Sequence, residues 1–320
     1  MRILTGIQPS GKLHWGNYFG AMKSMFDLQA NGEDMFMFIA NFHAMTTVRD
    51  GKTLRETTRD VALDYLACGL DPSKTTVYRQ SDVPEVQELA WYLSCLTPMG
   101  LLERCHSYKD KMAHGFEATH GLFAYPVLMA ADILIMNADL VPVGKDQKQH
   151  LEVTRDLAQK FNNAYGEIFK LPDAYIPASV ATIPGTDGQK MSKSYHNTIE
   201  LFEPAGSIKK KVMGIVTDST PMEAPKEPDG NSIYELYKLF ASPDEVAGMA
   251  DKFRAGGYGY GHAKKELLAA YHRLFDPFRE KREALAQDPA MLEDVLAEGA
   301  RKARAAAAPV MDKVRSAVGL

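Results

Sequence analysis

Over the first 195 residues, short apolar runs alternate with longer amphipathic stretches, a pattern that predicts a parallel sheet with crossover helices. Residues 2–7 and 35–41 read as buried strands, as do residues 75–79 and a shorter run at 140–144. Between them Leu54, Val61, Ala62, Tyr65 and Leu66 recur at helical spacing, and Gly69 with Asp71-Pro72 ends that helix. Residues 123–136 are almost wholly apolar and too long for a strand, so a helix buried against the sheet is expected. From about residue 197 one helix follows another: 207–216, 232–241 and 243–253. After them Leu267, Leu268, Tyr271, Leu274, Phe275 and Phe278 share one stripe. The loop 217–231 is rich in Pro, Asp and Glu, residues 256–261 are glycine-punctuated, and the Ala-rich stretch 298–308 favours helix by propensity. The expected division is an α/β domain over residues 1–195 and an all-helical domain over 196–320. The last helix is a candidate to pack back on the first domain.

Composition changes this picture little. With 320 residues, 45% hydrophobic and 24% charged, the chain fits a globular protein with ample core. The first residues lack the apolar segment of a signal peptide, and no run is long enough for a membrane span, so a cytoplasmic protein with no membrane partner is expected. Cys68, Cys95 and Cys105 form no CxxC pair, which suits a reducing compartment and inert thiols. No protein-ligated structural metal or iron–sulfur cluster is expected. Net charge is −4, and residues 196–320 carry 18 basic and 19 acidic side chains against 19 and 22 in the first 195. Neither part is basic, so any RNA contact must come from a local arrangement of charge.

Two segments far apart in sequence carry the chemistry. The loop Thr5-Gly6-Ile7-Gln8-Pro9-Ser10-Gly11 leaves the first strand, and His14-Trp15-Gly16-Asn17 opens a helix. A first strand meeting a helix N-terminus is where Rossmann-like, doubly wound folds bind nucleotides, since exposed N–H groups and the helix dipole favour phosphate. Gly16 offers bare backbone on which an adenine can lie, and His14 and Asn17 offer donors to phosphate oxygens. No GxxxxGK[ST] string occurs, which excludes a P-loop enzyme. A capped strand-to-helix turn with a structural histidine is the alternative. The second segment is Lys190-Met191-Ser192-Lys193-Ser194, entered from Gly188. It reads either as a solvated surface turn or as a mobile cationic loop that stabilises charge growing on a leaving pyrophosphate. Lys111 is a candidate third cation or an exposed helix lysine.

The substrate is addressed by Tyr125-Pro126-Val127-Leu128-Met129-Ala130-Ala131-Asp132-Ile133. A carboxylate in so apolar a run needs a donor, because burying it unpaired costs several kcal/mol. Asp132 therefore reads either as a salt bridge or cap, or as the floor of an apolar pocket that holds a substrate N–H, lined by Met129 and His43. His43 taken alone also reads as a satisfied core histidine. The run Val141-Pro142-Val143-Gly144-Lys145-Asp146-Gln147 is a strand end and glycine turn whose Asp146 and Gln147 meet ligand polar groups or simply cap a helix.

Together these strings resemble bacterial tryptophanyl-tRNA synthetases, within the class I aminoacyl-tRNA synthetases, over essentially the whole chain: GIQPSG, HWGN, YPVLMAADIL, VPVGKDQKQHLEVTRDLAQKFN, KMSKS and IVTDS. The resemblance implies activation of tryptophan by ATP, with Mg²⁺ on the phosphates, and transfer to tRNA(Trp) by a homodimer whose helical domain reads the anticodon. It implies that Asp132 accepts the indole N–H, that Met129, Tyr125, His43, Val141 and Val143 shape the pocket, and that Gln147 meets the amino acid's polar end. Gln8, Ser10, His14, Gly16, Asn17, Gly144 and Asp146 would serve ATP, with Lys111, Lys190, Met191, Ser192, Lys193 and Ser194 near its phosphates. Many relatives have Thr in place of His14, and Asp where this chain has Tyr195-His196-Asn197. The metal-spaced cysteines that some relatives carry are absent here.

Three other readings compete. A tyrosyl-tRNA synthetase shares both signatures, but a phenol acts as donor and acceptor where an indole only donates, and Met129 with Asp132 suits the indole. A non-catalytic RNA-binding paralogue would have no need of His14, Asp132, Lys190 and Lys193. A small adenylyltransferase would be shorter.

Overall fold

The structure is a computed structural model that describes residues 1–105, 115, 117, 119–144, 148–175 and 182–320. Five parallel strands form its sheet: β1 (Arg2–Ile7), β2 (Asp34–Ile39), β3 (Thr75–Arg79), β4 (Leu140–Pro142) and β5 (Asp173–Tyr175), in the order β3-β2-β1-β4-β5. This is the expected Rossmann-like, doubly wound arrangement. In-register pairing sets Ile3 beside Met35 and Met35 beside Thr75, so the apolar runs lie side by side in the middle of the sheet. Ile3, Leu4, Met35, Met37 and Ile39 are almost completely buried, as strands covered on both faces require. β5 is short and exposed, and no apolar run announces it.

The helices follow from their periodicity and ends. Helix Gly51–Cys68 starts at Asp50, whose carboxylate accepts from the Thr53 N–H, and stops at Gly69 with φ of 128°. Helix His120–Ile135 is capped by Thr119 and packs its apolar length into the core. The 30-residue helix Pro289–Val318 begins at Asp288 and lies on β3, the edge strand. The contact is close: a Cβ added at Gly299 would sit 1.7 Å from the Val77 carbonyl oxygen.

The chain separates into two compact units, cut elsewhere than the expected boundary at 195/196. The sheet unit comprises Met1–Gly11, Leu28–Ala178 and Asp288–Leu320. The helical unit comprises Lys12–Asp27 and Ser179–Gln287. The boundary moves because two segments pair with distant partners: the last helix with β3, and residues 13–15 with residues 199–201. Both signature segments thus belong to the helical unit. Helices Ala205–Met213, Ser232–Phe240, Pro243–Ala255 and Tyr260–Ala286 form its body.

Candidate active site

In the sheet unit, strand order reverses between β1 and β4, and at such a switch point the strand ends leave a crevice. A cavity of about 420 Å³ lies there, walled by Gly6, Ile7 and Gln8 after β1 and by Val141, Pro142 and Val143 at β4. One face of helix His120–Ile135 adds Tyr125, Met129 and Ile133, spaced four apart, and His43 and His150 supply polar edges. The Tyr125 hydroxyl is hydrogen-bonded to His150 Nε2 at 2.7 Å, and its ring meets His43 edge-on with centroids 6.2 Å apart. Five residues expected for the pocket (Met129, Tyr125, His43, Val141 and Val143) therefore converge on one cavity. His150, inside the string Lys148-Gln149-His150, was not singled out from sequence.

Asp132 is 3% exposed and meets the cavity wall through His43. Its Oδ2 is 2.9 Å from His43 Nε2, and Gln80 Nε2 donates to Oδ1 and Oδ2 at 2.9 Å each. Burial raises the Asp132 pKa, and the bonds from His43 and Gln80 oppose that rise. Tyr78, wholly buried nearby, is pushed well up by burial and by the Asp132 charge. Gln80 escaped the sequence reading, because a polar residue in Arg79-Gln80-Ser81-Asp82 looks like ordinary turn chemistry. Its place at the C-terminal end of a buried strand is the signal that marks it.

In the helical unit the two signatures touch. Residues 13–15 run antiparallel to 199–201: the Trp15 N–H donates to the Ile199 carbonyl at 2.9 Å, and the Leu201 N–H to that of Leu13 at 2.9 Å. The Gly16 N–H donates to Met191 Sδ at 3.3 Å. A Cβ at Gly16 would lie 3.0 Å from the His14 imidazole and 3.6 Å from Met191 Cβ, so a side chain there would crowd both. Asn17 Oδ1 accepts from the His14 N–H at 3.0 Å and closes the first turn, after which Tyr18–Met22 is π-helical. Trp15 holds the segment down, fully buried against Phe240 and stacked on Tyr271 with centroids 5.4 Å apart. The Tyr271 hydroxyl donates to the Leu201 carbonyl at 2.8 Å.

The electrostatics favour a neutral histidine beside a cation. Burial, and then the Lys193 ammonium, push His14 down to about 4. Burial also lowers Lys193, while Glu200 supports its charge. His14 Nδ1 is buried with no partner among the described residues. The lysine loop is shaped by Asn197, which is 2% exposed. Its Oδ1 accepts from the Ser192 N–H at 2.8 Å, and its Nδ2 donates to the Lys190 carbonyl at 3.0 Å and to Asp187 Oδ1 at 2.7 Å. His196, with φ of 54°, turns the chain so that Asn197 reaches back. Lys190 and Ser194 are exposed, and Ser192 shares a hydroxyl bond with Ser194 at 2.8 Å.

Gln8 sits exposed at the cavity, Ser10 is exposed, and Gly144 follows the end of β4. Lys111, Asp146 and Gln147 lie outside the described residues. Among the described residues no three His, Cys, Asp or Glu side chains converge as metal ligands, and no helix is long and apolar enough to cross a membrane. None of the three cysteines is in a disulfide.

Comparison with known proteins agrees with this geometry. The family model for class I tRNA synthetases (W and Y) matches residues 1–276. The tryptophan–tRNA ligases of Rhodopirellula baltica and Fusobacterium nucleatum are 56% and 57% identical over 320 residues, covering the whole chain and 100% and 98% of those proteins. The crystal structure of a Campylobacter jejuni tryptophanyl-tRNA synthetase complexed with ADP and tryptophan superimposes with a TM-score of 0.95 at 51% identity, over the full length of both chains. The family match and the identity over the full length together show that the chain belongs to the class I tRNA synthetases, among the tryptophan–tRNA ligases.

Proposed function

We propose that the chain performs this ligation in two steps. The tryptophan carboxylate attacks the α-phosphorus of ATP, forming tryptophanyl-adenylate and releasing pyrophosphate. The terminal ribose hydroxyl of tRNA(Trp) then takes the acyl group. Asp132 accepts the indole N–H, while Met129, Tyr125, His43, Val141 and Val143 enclose the ring and Gln147 meets its polar end. His14, Gly16 and Asn17, with Gln8, Ser10, Gly144 and Asp146, bind ATP. Lys190 and Lys193, joined by Lys111, Met191, Ser192 and Ser194, stabilise the charge that develops on pyrophosphate.

The observation that carries this reading is the Gly16 N–H bond to Met191 Sδ, which brings together two segments 175 residues apart, as a shared phosphate site requires. A neutral His14 next to Lys193 fits a donor to phosphate oxygen that adds no competing positive charge. Mg²⁺ would enter with ATP as the counter-ion of its phosphates. Exposed Trp91 and Met99 on the helices Glu85–Ser94 and Met99–Glu103, with exposed Cys95 just past the end of the first, support a homodimer that covers them. The helical region 196–320 takes the anticodon, and the reaction belongs to the cytoplasm.

ATP–pyrophosphate exchange across the twenty amino acids tests the assignment. Tryptophan alone should support exchange. A tyrosine response would overturn the choice of substrate, and silence with every amino acid would overturn the activity.

A further inference from the structure

Gln80 directly follows β3, and none of its surface is exposed. Its Oε1 accepts the backbone N–H of Phe42 at 3.0 Å and that of His43 at 3.4 Å. Its Nε2 lies 2.9 Å from both oxygens of Asp132. The amide cannot be reversed, because its NH₂ would then face two N–H groups and its oxygen a carboxylate. One side chain thus ties the backbone that carries His43 to the carboxylate that His43 itself contacts. A carboxylate has about four acceptor positions. Gln80 and His43 account for three contacts, which leaves one acceptor position and no donor for a ligand.

We propose that Gln80 is a specificity-determining positioning residue, which fixes Asp132 so that the cavity accepts a ring bearing an N–H and rejects a phenol or a phenyl ring. It acts through Asp132 and touches no substrate. The proposal rests on the reading that Asp132 accepts the indole N–H. The titratable groups facing the pair are His43 from helix Asn41–Ala44 and Tyr78 from β3, with Tyr125 and His150 beyond His43.

The test is tryptophan-dependent ATP–pyrophosphate exchange by the full-length protein, with Gln80→Met and Gln80→Glu compared over a range of pH. Gln80→Met keeps the length of the side chain and removes both hydrogen-bonding groups. Tryptophan KM should rise by about 10- to 100-fold at every pH, because a buried acceptor and two N–H groups lose their partner, while the ATP KM stays within about twofold. In Gln80→Glu a protonated carboxyl can still donate to Asp132. Its tryptophan KM should stay near that of wild type at low pH and climb as the shared proton leaves, a rise that wild type lacks. A purely structural role would move both substrates' KM and the melting temperature together without this pH profile. The proposal is overturned if folded Gln80→Met keeps its tryptophan KM within about twofold of wild type, or if Gln80→Glu follows the wild-type pH profile. Should Gln80→Met fail to fold, the Gln80→Glu profile alone decides. Silence of the wild-type protein with tryptophan would refute the proposed function, whereas an active wild type with an unaffected Gln80→Met refutes only this inference.

Discussion

Replacing Asp132 by Asn changes two atoms' chemistry and almost no volume, so it isolates what the carboxylate does. The wild-type group accepts from His43 and twice from Gln80. An amide has one acceptor oxygen, and its NH₂ must face a donor. Turned toward His43, it can be accommodated by a change of imidazole tautomer, yet Gln80 Nε2 still meets an NH₂ on one side. An unsatisfied buried group of this kind costs about 1–3 kcal/mol, and the charge-assisted bond to an indole N–H is lost as well, itself worth about 1.5–3 kcal/mol. Even the lower figures sum to about 2.5 kcal/mol, and about 1.4 kcal/mol is a tenfold change in binding. Tryptophan KM in ATP–pyrophosphate exchange should therefore rise by about 60-fold or more. ATP KM should hardly change, and preference for tryptophan over phenylalanine should narrow. An Asp132→Asn protein with wild-type tryptophan KM and selectivity would refute the claim that this carboxylate recognises the ring.

Other predictions follow from His14 and Gly299. His14 is held near 4 in the folded state and titrates near 6.5 when unfolded, so the unfolded chain binds the extra proton. Stability from this group is fully present above about pH 6.5 and is lost as the pH falls toward about 4. Between pH 7 and 5 the wild type should lose about 1–2 kcal/mol more than His14→Gln, measured by urea unfolding, and parallel losses would contradict the buried neutral imidazole. Gly299→Ala raises helix propensity by about 1 kcal/mol but drives a methyl into the Val77 backbone. Net destabilisation of about 1–3 kcal/mol and a lower melting temperature should result, and a higher one would show that the helix does not press on β3 as described.

The parallel strands were legible because each is a short apolar run bounded by turn residues. Residues 2–7 and 75–79 were placed at their true limits. β5 was not, since Asp173–Tyr175 has three residues and no buried face. The pocket was legible through Tyr125, Met129 and Asp132, which share one helix. The bonds that His43 and Gln80 make to Asp132 were not, because they depend on how β3 and the helix Asn41–Ala44 approach it. The compact units differ from the expected division for a related reason. The chain's local character changes near residue 197, whereas Trp15 and Gly299 bind to partners distant in sequence that no local pattern names. Cationic residues 190 and 193 could be found from the string Lys190-Met191-Ser192-Lys193-Ser194 itself. Their contact with the first helical turn, made through Met191 and Gly16, is a tertiary fact.

The central claim, that the lysine loop stabilises charge on departing pyrophosphate, is tested most directly by single-turnover formation of tryptophanyl-adenylate in Lys193→Ala at saturating tryptophan and ATP. The rate should fall by about 100- to 1,000-fold, with tryptophan affinity little changed. An unchanged single-turnover rate would contradict it.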